Sequence, residues 1–497
     1  MRRGTRYREA MIQDQQRRML PAATVFAGLS GLVALILLAI QLPADPAIGV
    51  TASDSPFTDE GWYVLGARNL ALLGRLATDD WQLAWATLPF TLVVTAAFEI
   101  LDVGIVQARI VSVVCSAAAV ALVAALVTRR LGTVAGIVAG IAMASSSLML
   151  FYGRLAILEP MVALFLIAGV VLLLAQATDR PVARGVAAGA AFALAIGTKP
   201  SAALAVAGII VGVVVAGRFG VPRLGRRATA AVGTIAVAGA IWAIVVTPQP
   251  GVLDSILRIW AVQAAPASAI DVWQRVIDYV GEADRAIPMI APLLIGSMLG
   301  IGLVAVSWRS LDPSRRALAG AAIGWIAFGM ATLLVASYRP SRYVVPMLPA
   351  MAILTGFAVA LLVERLRPAR AVVAVTTVAL CIGVALPGVR DLVGWTAVAT
   401  YRLPEIQAEL LERVTDGHAI EGAGSPTFAM RVPVPAIVAR PGLNDGDLYA
   451  THGVRWLLAD PQARPAWAPD HRDAWADRER IACYPWPSGE ACLIRIP

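Results

Sequence analysis

Long apolar segments separated by short polar ones dominate the chain from residue 20 to residue 388. They are continuous and run for about 18 to 23 residues, the length that an α-helix needs to cross a bilayer. A transmembrane barrel would instead show segments of about ten residues with every second residue apolar. The pattern predicts an all-α polytopic membrane protein with about eleven transmembrane helices. The predicted spans lie near residues 20–42, 104–128, 131–151, 155–177, 183–198, 200–217, 228–247, 288–307, 317–337, 343–363 and 369–388.

The polar segments divide the chain further. Residues 1–19 form an amino-terminal segment, and the membrane domain, residues 20–388, contains two longer loops at 43–103 and 248–287. The first apolar run is longer than a signal peptide's core and lacks a small-residue cleavage site, so we expect it to remain as the first span. Residues 389–497 have ordinary soluble composition, with alternating apolar stretches and many Pro and Gly turns. They predict a small α/β carboxy-terminal domain.

Composition agrees with this class, because 58% of the 497 residues are hydrophobic and only 15% are charged, whereas soluble proteins are about one quarter charged. The net charge of +8 reflects orientation in the membrane and does not indicate a nucleic-acid partner. With the amino terminus in the cytoplasm, the short cytoplasmic loops are all basic. Their arginines are Arg129, Arg130, Arg180, Arg184, Arg218, Arg223, Arg226, Arg227, Arg309, Arg315, Arg316, Arg365, Arg367 and Arg370.

This orientation makes the carboxy-terminal domain extracytoplasmic. Cys483 and Cys492 lie in that domain on either side of the turn-rich sequence YPWPSGEA, whereas Cys115 and Cys381 lie in apolar spans. An oxidising compartment favours a disulfide between the first two, the alternative being two free thiols.

Reactive groups near the membrane must be carboxylates, arginines, tyrosines and the single lysine. All three histidines lie in the carboxy-terminal domain, and the chain has no phosphate-binding glycine loop followed by Lys-Ser or Lys-Thr. Histidine triads, histidine metal sites within the membrane and ATP-driven transport are therefore not supported.

An acidic pair follows the first span in the sequence SDSPFTDEGWYVLGARN. Asp59 or Glu60, at a bilayer surface, suits a base that deprotonates an acceptor hydroxyl, because a low-dielectric boundary disfavours the charged carboxylate and raises its basicity. The alternative is a solvated acid that caps the following helix.

A short outer connection, FYGRLAILEPM, places Arg154 and Glu159 at the membrane boundary, where ionisable groups usually have a function and a partner. Arginine can bind a phosphate through two parallel donors. Lys199, in IGTKPSAAL, occupies another outer turn and suits an anionic head group. Snorkelling at a helix end and interfacial anchoring are the alternatives.

Another outer loop, SYRPSRYVVPMLPAM, contains Arg339, Arg342 and Tyr343. Arginines outside oppose the usual charge bias, as a phosphate site would require. Asp80 and Trp81, in the first loop, could bind a sugar by hydrogen bonding and stacking, although tryptophans at this depth more often anchor the bilayer interface.

Together, FTDEGWYVLGARN, GRLAILEP, the Lys-Pro turn and RYVVP resemble the GT-C membrane glycosyltransferases. They resemble in particular the group that contains the protein O-mannosyltransferases (glycosyltransferase family 39) and the bacterial aminoarabinose transferase of lipid A. The resemblance extends in topology over residues 20–365. It implies Asp59 as catalytic base, with Glu60 as the neighbouring acid on the acceptor side. Residues implied near the donor phosphate are Arg154, Lys199, Arg342 and Tyr343, and those assigned to acceptor or sugar binding are Glu159, Asp80 and Trp81.

The implied activity is inverting transfer of a hexose or pentose from a polyprenyl-phosphate carrier to a glycan, lipid or protein acceptor. The reaction would occur on the outer face of a bacterial plasma membrane. Some relatives bind a divalent metal beside the catalytic acid. Because no histidine lies outside the carboxy-terminal domain, any such site here would be built from carboxylates, and we expect no obligatory metal or other cofactor. Alternatives are a transporter or flippase of lipid-linked saccharides, or a polymerase or ligase with a longer donor. A transporter would be expected to place ionisable residues near the middle of its spans, whereas they cluster here at the outer boundary.

Overall fold

The fold is described from a computed structural model of the chain. The structure describes residues 23–46, 59–175, 180–217, 220–221, 223–263, 286–335, 340–366, 369–439, 443–444, 446–460, 464–486 and 489–497. The predicted amino-terminal segment, residues 1–19, lies outside these ranges.

The described residues are mainly helical. In chain order the membrane-domain helices are α1 (Ala23–Ala39), α2 (Asp59–Leu73), α3 (Leu83–Ala86), α4 (Leu88–Leu101), α5 (Ile105–Leu131), α6 (Thr133–Ala144), α7 (Ser147–Tyr152), α8 (Glu159–Leu173), α9 (Pro181–Thr198), α10 (Ala202–Gly217), α11 (Leu224–Val246), α12 (Val252–Gln263), α13 (Ala286–Ser307), α14 (Pro313–Val335), a 3₁₀ helix (Ser341–Met347), α15 (Leu348–Leu366) and α16 (Arg370–Ala397). The carboxy-terminal helices are α17 (Arg402–Arg413), α18 (Ser425–Phe428), α19 (Leu448–Thr451) and α20 (Arg472–Ala476).

Seven helices in the described part are long and apolar enough to cross a membrane, and five further apolar helices have 10–17 residues. The predicted class, an all-α multi-pass membrane protein with a small carboxy-terminal sheet, is confirmed. Each predicted span coincides with helical structure, but 131–151 is divided into α6 and α7. At this break Ser145 Oγ donates to Ile141 O at 2.7 Å, the local side-chain bonding that competes with helix continuation.

Helix α4 is absent from the predicted spans, because its 14 residues fall short of the length that crosses a bilayer unaided. The span formed by the 3₁₀ helix and α15 is 94% buried and lies in the centre of the bundle, whereas the span in α16 is 6% buried and lies at its edge. Helices α10 and α14 pack backbone to backbone, since a Cβ atom at Gly208 would overlap the carbonyl of Gly324.

A five-stranded sheet forms the carboxy-terminal domain. Its strands are β1 (Ala419–Glu421), β2 (Ala436–Ile437), β3 (Val454–Ala459), β4 (Glu479–Trp486) and β5 (Gly489–Arg495), in the order β2-β1-β3-β5-β4. Strand β1 is parallel to β2 and β3, whereas β5 is antiparallel to β3 and β4.

The two faces of this sheet bury different apolar cores. Ile420, Trp456 and Leu493 belong to a cluster that includes Val64 of α2 and Phe90 of α4. The opposite face is covered by a segment that contains Trp467. Cys483 lies opposite Cys492 in the β4–β5 pair, and the two are joined by a disulfide. The sheet therefore rests on the end of the bundle from which α2 begins.

Candidate active site

Four charged residues and one tyrosine meet at the end of the bundle that faces the carboxy-terminal domain. We call Asp59, Glu159, Lys199, Arg342 and Tyr343 the ionic cluster. Asp59 and Glu159 are the first residues of α2 and α8, Lys199 directly follows α9, and the other two belong to the 3₁₀ helix. Each therefore lies at a helix end, where polar groups can leave the apolar part of the bundle.

Alternating charges hold the ionic cluster together. Arg342 Nη2 lies 2.7 Å from Asp59 Oδ2, and Arg342 Nε lies 3.5 Å from Glu159 Oε1. Lys199 Nζ lies 2.6 Å from the same Glu159 oxygen and 3.5 Å from the centre of the Tyr343 ring. Glu159 thus bridges the two cations, and Tyr343 presents its negative face to the lysine.

Exposure differs sharply within the ionic cluster. The Glu159 side chain is 0% exposed and that of Arg342 3%, whereas Lys199 and Asp59 retain 12% and 13%. The buried Glu159 depends on its cationic partners, because an unpaired charge at such a position costs several kcal/mol. Glu159 Oε2 has no hydrogen-bond partner among the described residues. A ligand would first meet the Asp59 carboxylate and the Lys199 ammonium.

An apolar pocket adjoins the ionic cluster at Lys199 and Tyr343. It lies between α8, α10, α14 and the 3₁₀ helix, and it is lined mainly by aliphatic and aromatic side chains. They include Val162, Leu166, Ala205, Trp325, Leu333 and Met347. The Lys199 ammonium therefore lies at the polar end of an apolar pocket within the membrane domain.

Glu60 takes a different position from its neighbour Asp59. It is 0% exposed and accepts two hydrogen bonds from Arg109, from Nε at 2.8 Å and from Nη2 at 2.7 Å. Its Oε1 also accepts the Ala156 N–H at 2.8 Å, while Arg109 Nη1 donates to the carbonyl of Leu42 at 2.8 Å. Both carboxylate oxygens face protein groups, so the structure does not bring Glu60 beside the ionic cluster.

Other residues predicted for the site are also separate from it. Arg154 Nη2 donates to the Gln41 carbonyl, on the side of Glu60 and Arg109. Arg339 lies outside the described residues.

Asp80 and Trp81 belong to the contact between the first outer loop and the carboxy-terminal domain. The Asp80 side chain is exposed, and the backbone N–H of Asp80 donates to Asn444 Oδ1 at 2.9 Å. Trp81 is 5% exposed, with its ring centre 5.6 Å from that of Trp62. Protein covers the Trp81 ring, which leaves little of it for a sugar to stack on.

Two residues that contact or adjoin the predicted acids were not predicted from the sequence. Arg109 lies in the first turns of an apolar span, and a charged residue there is a recognisable signal for a buried partner. Tyr63 lies one turn after Asp59. Burial raises the pKa of its hydroxyl well above the usual value, and the charges of Arg342, Glu159 and Asp59 act on it.

A divalent metal does not fit the described acids well. Asp59 and Glu159 are both paired with cations, which would repel a metal ion. The one cluster of potential metal ligands found among the described residues is Cys483, Glu490 and Cys492. Its two sulfur atoms are already joined in the disulfide, so it offers a single carboxylate.

The chain is similar to a known protein family and to several solved structures. Residues 88–245 match the model of a family described as dolichyl-phosphate-mannose-protein mannosyltransferase. No curated protein matches the chain. The structure of ArnT from Cupriavidus metallidurans in the apo state matches with a TM-score of 0.61 at 15% identity, over 95% of this chain and 98% of that one.

Two further solved structures agree. ArnT from the same organism bound to undecaprenyl phosphate matches with a TM-score of 0.57 at 16% identity, over 95% of this chain and 98% of that one. The apo oligosaccharyltransferase of Archaeoglobus fulgidus matches with a TM-score of 0.54 at 11% identity, over 88% of this chain and 69% of that one. The chain has the GT-C fold of membrane glycosyltransferases, as its motifs predicted.

Proposed function

We propose that the protein is an inverting glycosyltransferase that moves a hexose or pentose from a polyprenyl phosphate to a cell-envelope acceptor. The observation that carries this proposal is the partly exposed Asp59 carboxylate, 2.7 Å from the buried Arg342, at one end of an ionic cluster that also holds Lys199. A base and two cations at the membrane boundary suit transfer from a lipid-linked phosphate. The similar fold of ArnT, solved with undecaprenyl phosphate bound, supports the same donor class.

The donor phosphate would bind at the cationic part of the cluster. Lys199 and Arg342 supply its positive charges, and Tyr343 holds the lysine through its ring. Because Glu159 and Asp59 already neutralise these cations, the phosphate competes with the two acids for them. The apolar pocket beside Lys199 suits the first part of the lipid chain. Arg154, predicted for the same phosphate, instead donates to the Gln41 carbonyl, so the phosphate site in this proposal consists of Lys199 and Arg342.

Transfer would proceed in one displacement. The Asp59 carboxylate takes the proton of the acceptor hydroxyl while the acceptor oxygen forms a bond to the anomeric carbon. The bond from that carbon to the phosphate oxygen breaks on the opposite face, and its electron pair leaves with polyprenyl phosphate. Arg342 and Lys199 stabilise that charge. Protonated Asp59 then returns its proton to solvent, and the anomeric configuration is inverted.

The remaining polar atom of Glu159 has a role in this scheme. Its Oε2 can accept a hydrogen bond from a sugar hydroxyl once a donor enters, while Oε1 keeps Lys199 in place. The acceptor would approach from the side of Asp59, beneath the carboxy-terminal domain. Asp80, whose side chain is exposed near that domain, is assigned to the acceptor side.

The site belongs on the outer face of a bacterial plasma membrane in this proposal. The supporting observation is the row of arginines in the loops at the opposite ends of the helices, such as Arg130 and Arg315. A cysteine placed at exposed position Gly446 of the carboxy-terminal domain should react with a membrane-impermeant reagent on intact cells. If the cysteine reacts only after the cells are permeabilised, the carboxy-terminal domain lies in the cytoplasm and the proposed orientation is wrong.

The activity can be tested with the purified full chain in lipid nanodiscs. Labelled undecaprenyl phosphate mannose and undecaprenyl phosphate arabinose are supplied with a cell-envelope extract, and product formation and anomeric configuration are measured. We expect transfer from one donor, with inversion, by the wild type and by Asp254→Asn, a change to a 64% exposed outer acid. Label that crosses the membrane without forming a product, or a retained configuration, would overturn the proposal.

A further inference from the structure

The carboxy-terminal domain contacts α2 immediately beside Asp59. A Cβ atom at Gly61 would overlap the backbone nitrogen of Thr427, so the two backbones touch there. One residue further, Trp62 Nε1 donates to the carbonyl of Ala423 at 2.7 Å. The segment 423–434 therefore lies directly on the first turn of the helix that begins with Asp59.

Arg68, two turns further along α2, forms hydrogen bonds with the same segment. It is 0% exposed, and its Nε donates to the carbonyls of Ala429 at 3.2 Å and Met430 at 3.1 Å. Its Nη2 donates to the carbonyl of Val434 at 2.8 Å and also to that of Val432. One side chain thus binds four carbonyls of residues 429–434, the part of the segment that follows α18.

Among the residues that the structure describes, Arg68 donates to backbone carbonyls and to Asn69 Oδ1 at 2.9 Å, and to no carboxylate. Burial lowers the pKa of its guanidinium to about 9. A buried charge without an acidic partner is costly, and a planar fork of donors suits this set of carbonyls as an ammonium cannot. Such an arrangement fixes geometry more than it adds stability.

Contacts on two sides therefore set the position of α2. Glu60 ties its first turn to Arg109 of α5 in the bundle, and the segment 423–434 holds it from the side of the carboxy-terminal domain. Asp59 begins this helix, so any displacement of α2 moves the carboxylate relative to Arg342 and to an acceptor. General bases must lie within hydrogen-bond reach of the proton that they remove.

We propose that the segment 423–434 of the carboxy-terminal domain positions Asp59 for proton transfer, with Arg68 and Gly61 as the positioning residues. The proposal rests on the proposed function. It assigns the carboxy-terminal domain a part in the chemical step, through the helix that carries the base. Lys199 and Arg342, by contrast, lie on elements that this contact does not include, so the donor phosphate should still bind when α2 shifts.

Gly61→Ala is the first test. In a helix interior, alanine is favoured over glycine by about 1 kcal/mol, so this variant should not weaken α2 itself, yet its methyl group must push Thr427 away. We expect turnover to fall about 10- to 100-fold, since a shift of about 1 Å can have that effect, while affinity for undecaprenyl phosphate stays within about twofold. Gly394→Ala, where a Cβ atom meets open space, is the matched control.

Arg68 gives a second, independent pair of variants. Arg68→Met should lower turnover in the same way, and Arg68→Lys should recover part of it, because an ammonium can reach some of these carbonyls but lacks the fork. Arg75→Met, an exposed arginine just beyond α2, is the control and should behave as the wild type. Loss of undecaprenyl phosphate binding in Arg68→Met and Arg68→Lys alike would indicate a purely structural role and overturn the proposal.

Hydrogen exchange of the α2 amides gives a readout that does not depend on activity. We expect faster exchange over residues 59–73 in Gly61→Ala and Arg68→Met than in either control. Equal exchange, or normal turnover in Gly61→Ala, would overturn the positioning role. If the wild type transfers no sugar while exchange responds as expected, the proposed function fails but the contact between segment 423–434 and α2 stands.

Discussion

Lys199 Nζ lies 2.6 Å from Glu159 Oε1, so the single lysine of the sequence pairs with a carboxylate that is completely buried. The lysine follows α9 and the glutamate begins α8, and Arg342 approaches the same oxygen from a third element. This pairing keeps a compact cation at the boundary of the bundle, next to an apolar pocket. Replacing Lys199 should therefore affect donor binding and departure of the phosphate, and not proton removal from the acceptor.

Lys199→Met should weaken donor binding or the stabilisation of the leaving phosphate by about 2–4 kcal/mol, the range for a direct charged contact. Binding of undecaprenyl phosphate and transfer kinetics measure the two effects. Arg258→Met, which changes a 52% exposed outer cation, serves as control. Wild-type kinetics in Lys199→Met would remove the lysine from the site. A folding defect is checked by thermal unfolding, because the substitution also deprives Glu159 of a partner.

Asp59→Asn keeps shape and hydrogen bonding but loses basicity. Transfer should fall by about 100-fold or more, while undecaprenyl phosphate still binds, because the phosphate contacts are assigned to Lys199 and Arg342. Isothermal titration of the lipid and turnover on the same preparation separate the two quantities. Near-normal turnover in this variant would end the assignment of Asp59 as base.

Glu60→Gln should act on stability and not primarily on chemistry. The change removes the carboxylate that is paired with the buried Arg109, and breaking a buried pair in this way typically costs about 3–5 kcal/mol. We expect a clear drop in melting temperature in detergent, and partial recovery in the double variant Glu60→Gln/Arg109→Met. A stable Glu60→Gln protein with weakened acceptor binding would instead support the acceptor-side role implied by the resemblance.

Asp79 should make stability depend on pH. Burial raises its pKa to about 7, although hydrogen bonds from the Trp81 N–H at 3.0 Å and from Asn444 Nδ2 at 3.1 Å favour the charged form. In the unfolded chain an aspartate has a pKa of about 3.9. Between these values the folded chain keeps the proton that the unfolded chain has released, so the contribution to the free energy of unfolding falls as pH rises.

Thermal unfolding of the full chain across this pH window, compared between the wild type and Asp79→Asn, measures the effect. In Asp79→Asn, the free energy of unfolding should fall less with rising pH than in the wild type. Asp254→Asn, which changes an exposed acid, should show the same pH dependence as the wild type. Because Asn444 links Asp79 to the carboxy-terminal domain, the affected contact is the one between this domain and the first outer loop. Identical slopes in the wild type and Asp79→Asn would contradict the prediction.

Local pattern was sufficient for the positions of most helices, the small carboxy-terminal sheet and the membrane-protein class. Continuous apolar runs and turn residues act over a few residues, so they can be read without knowledge of distant contacts. Helix α4 was missed because its apolar run is too short to identify a span. The break at Ser145 was missed because a distant contact accompanies the local one: Ser146 Oγ donates to Met289 O of α13 at 3.2 Å.

The adjacent acids show what tertiary structure alone decided. From sequence, Asp59 and Glu60 are equivalent candidates, and only the family resemblance distinguished them. Consecutive residues on a helix point about 100° apart, so the packing of α2 directs Glu60 to Arg109 of α5 and Asp59 to Arg342 of the 3₁₀ helix. The sequence determines which residue types stand at the helix ends. Which of them meet depends on how distant helices pack, because the partners of Asp59 and Glu60 lie at least 49 positions away.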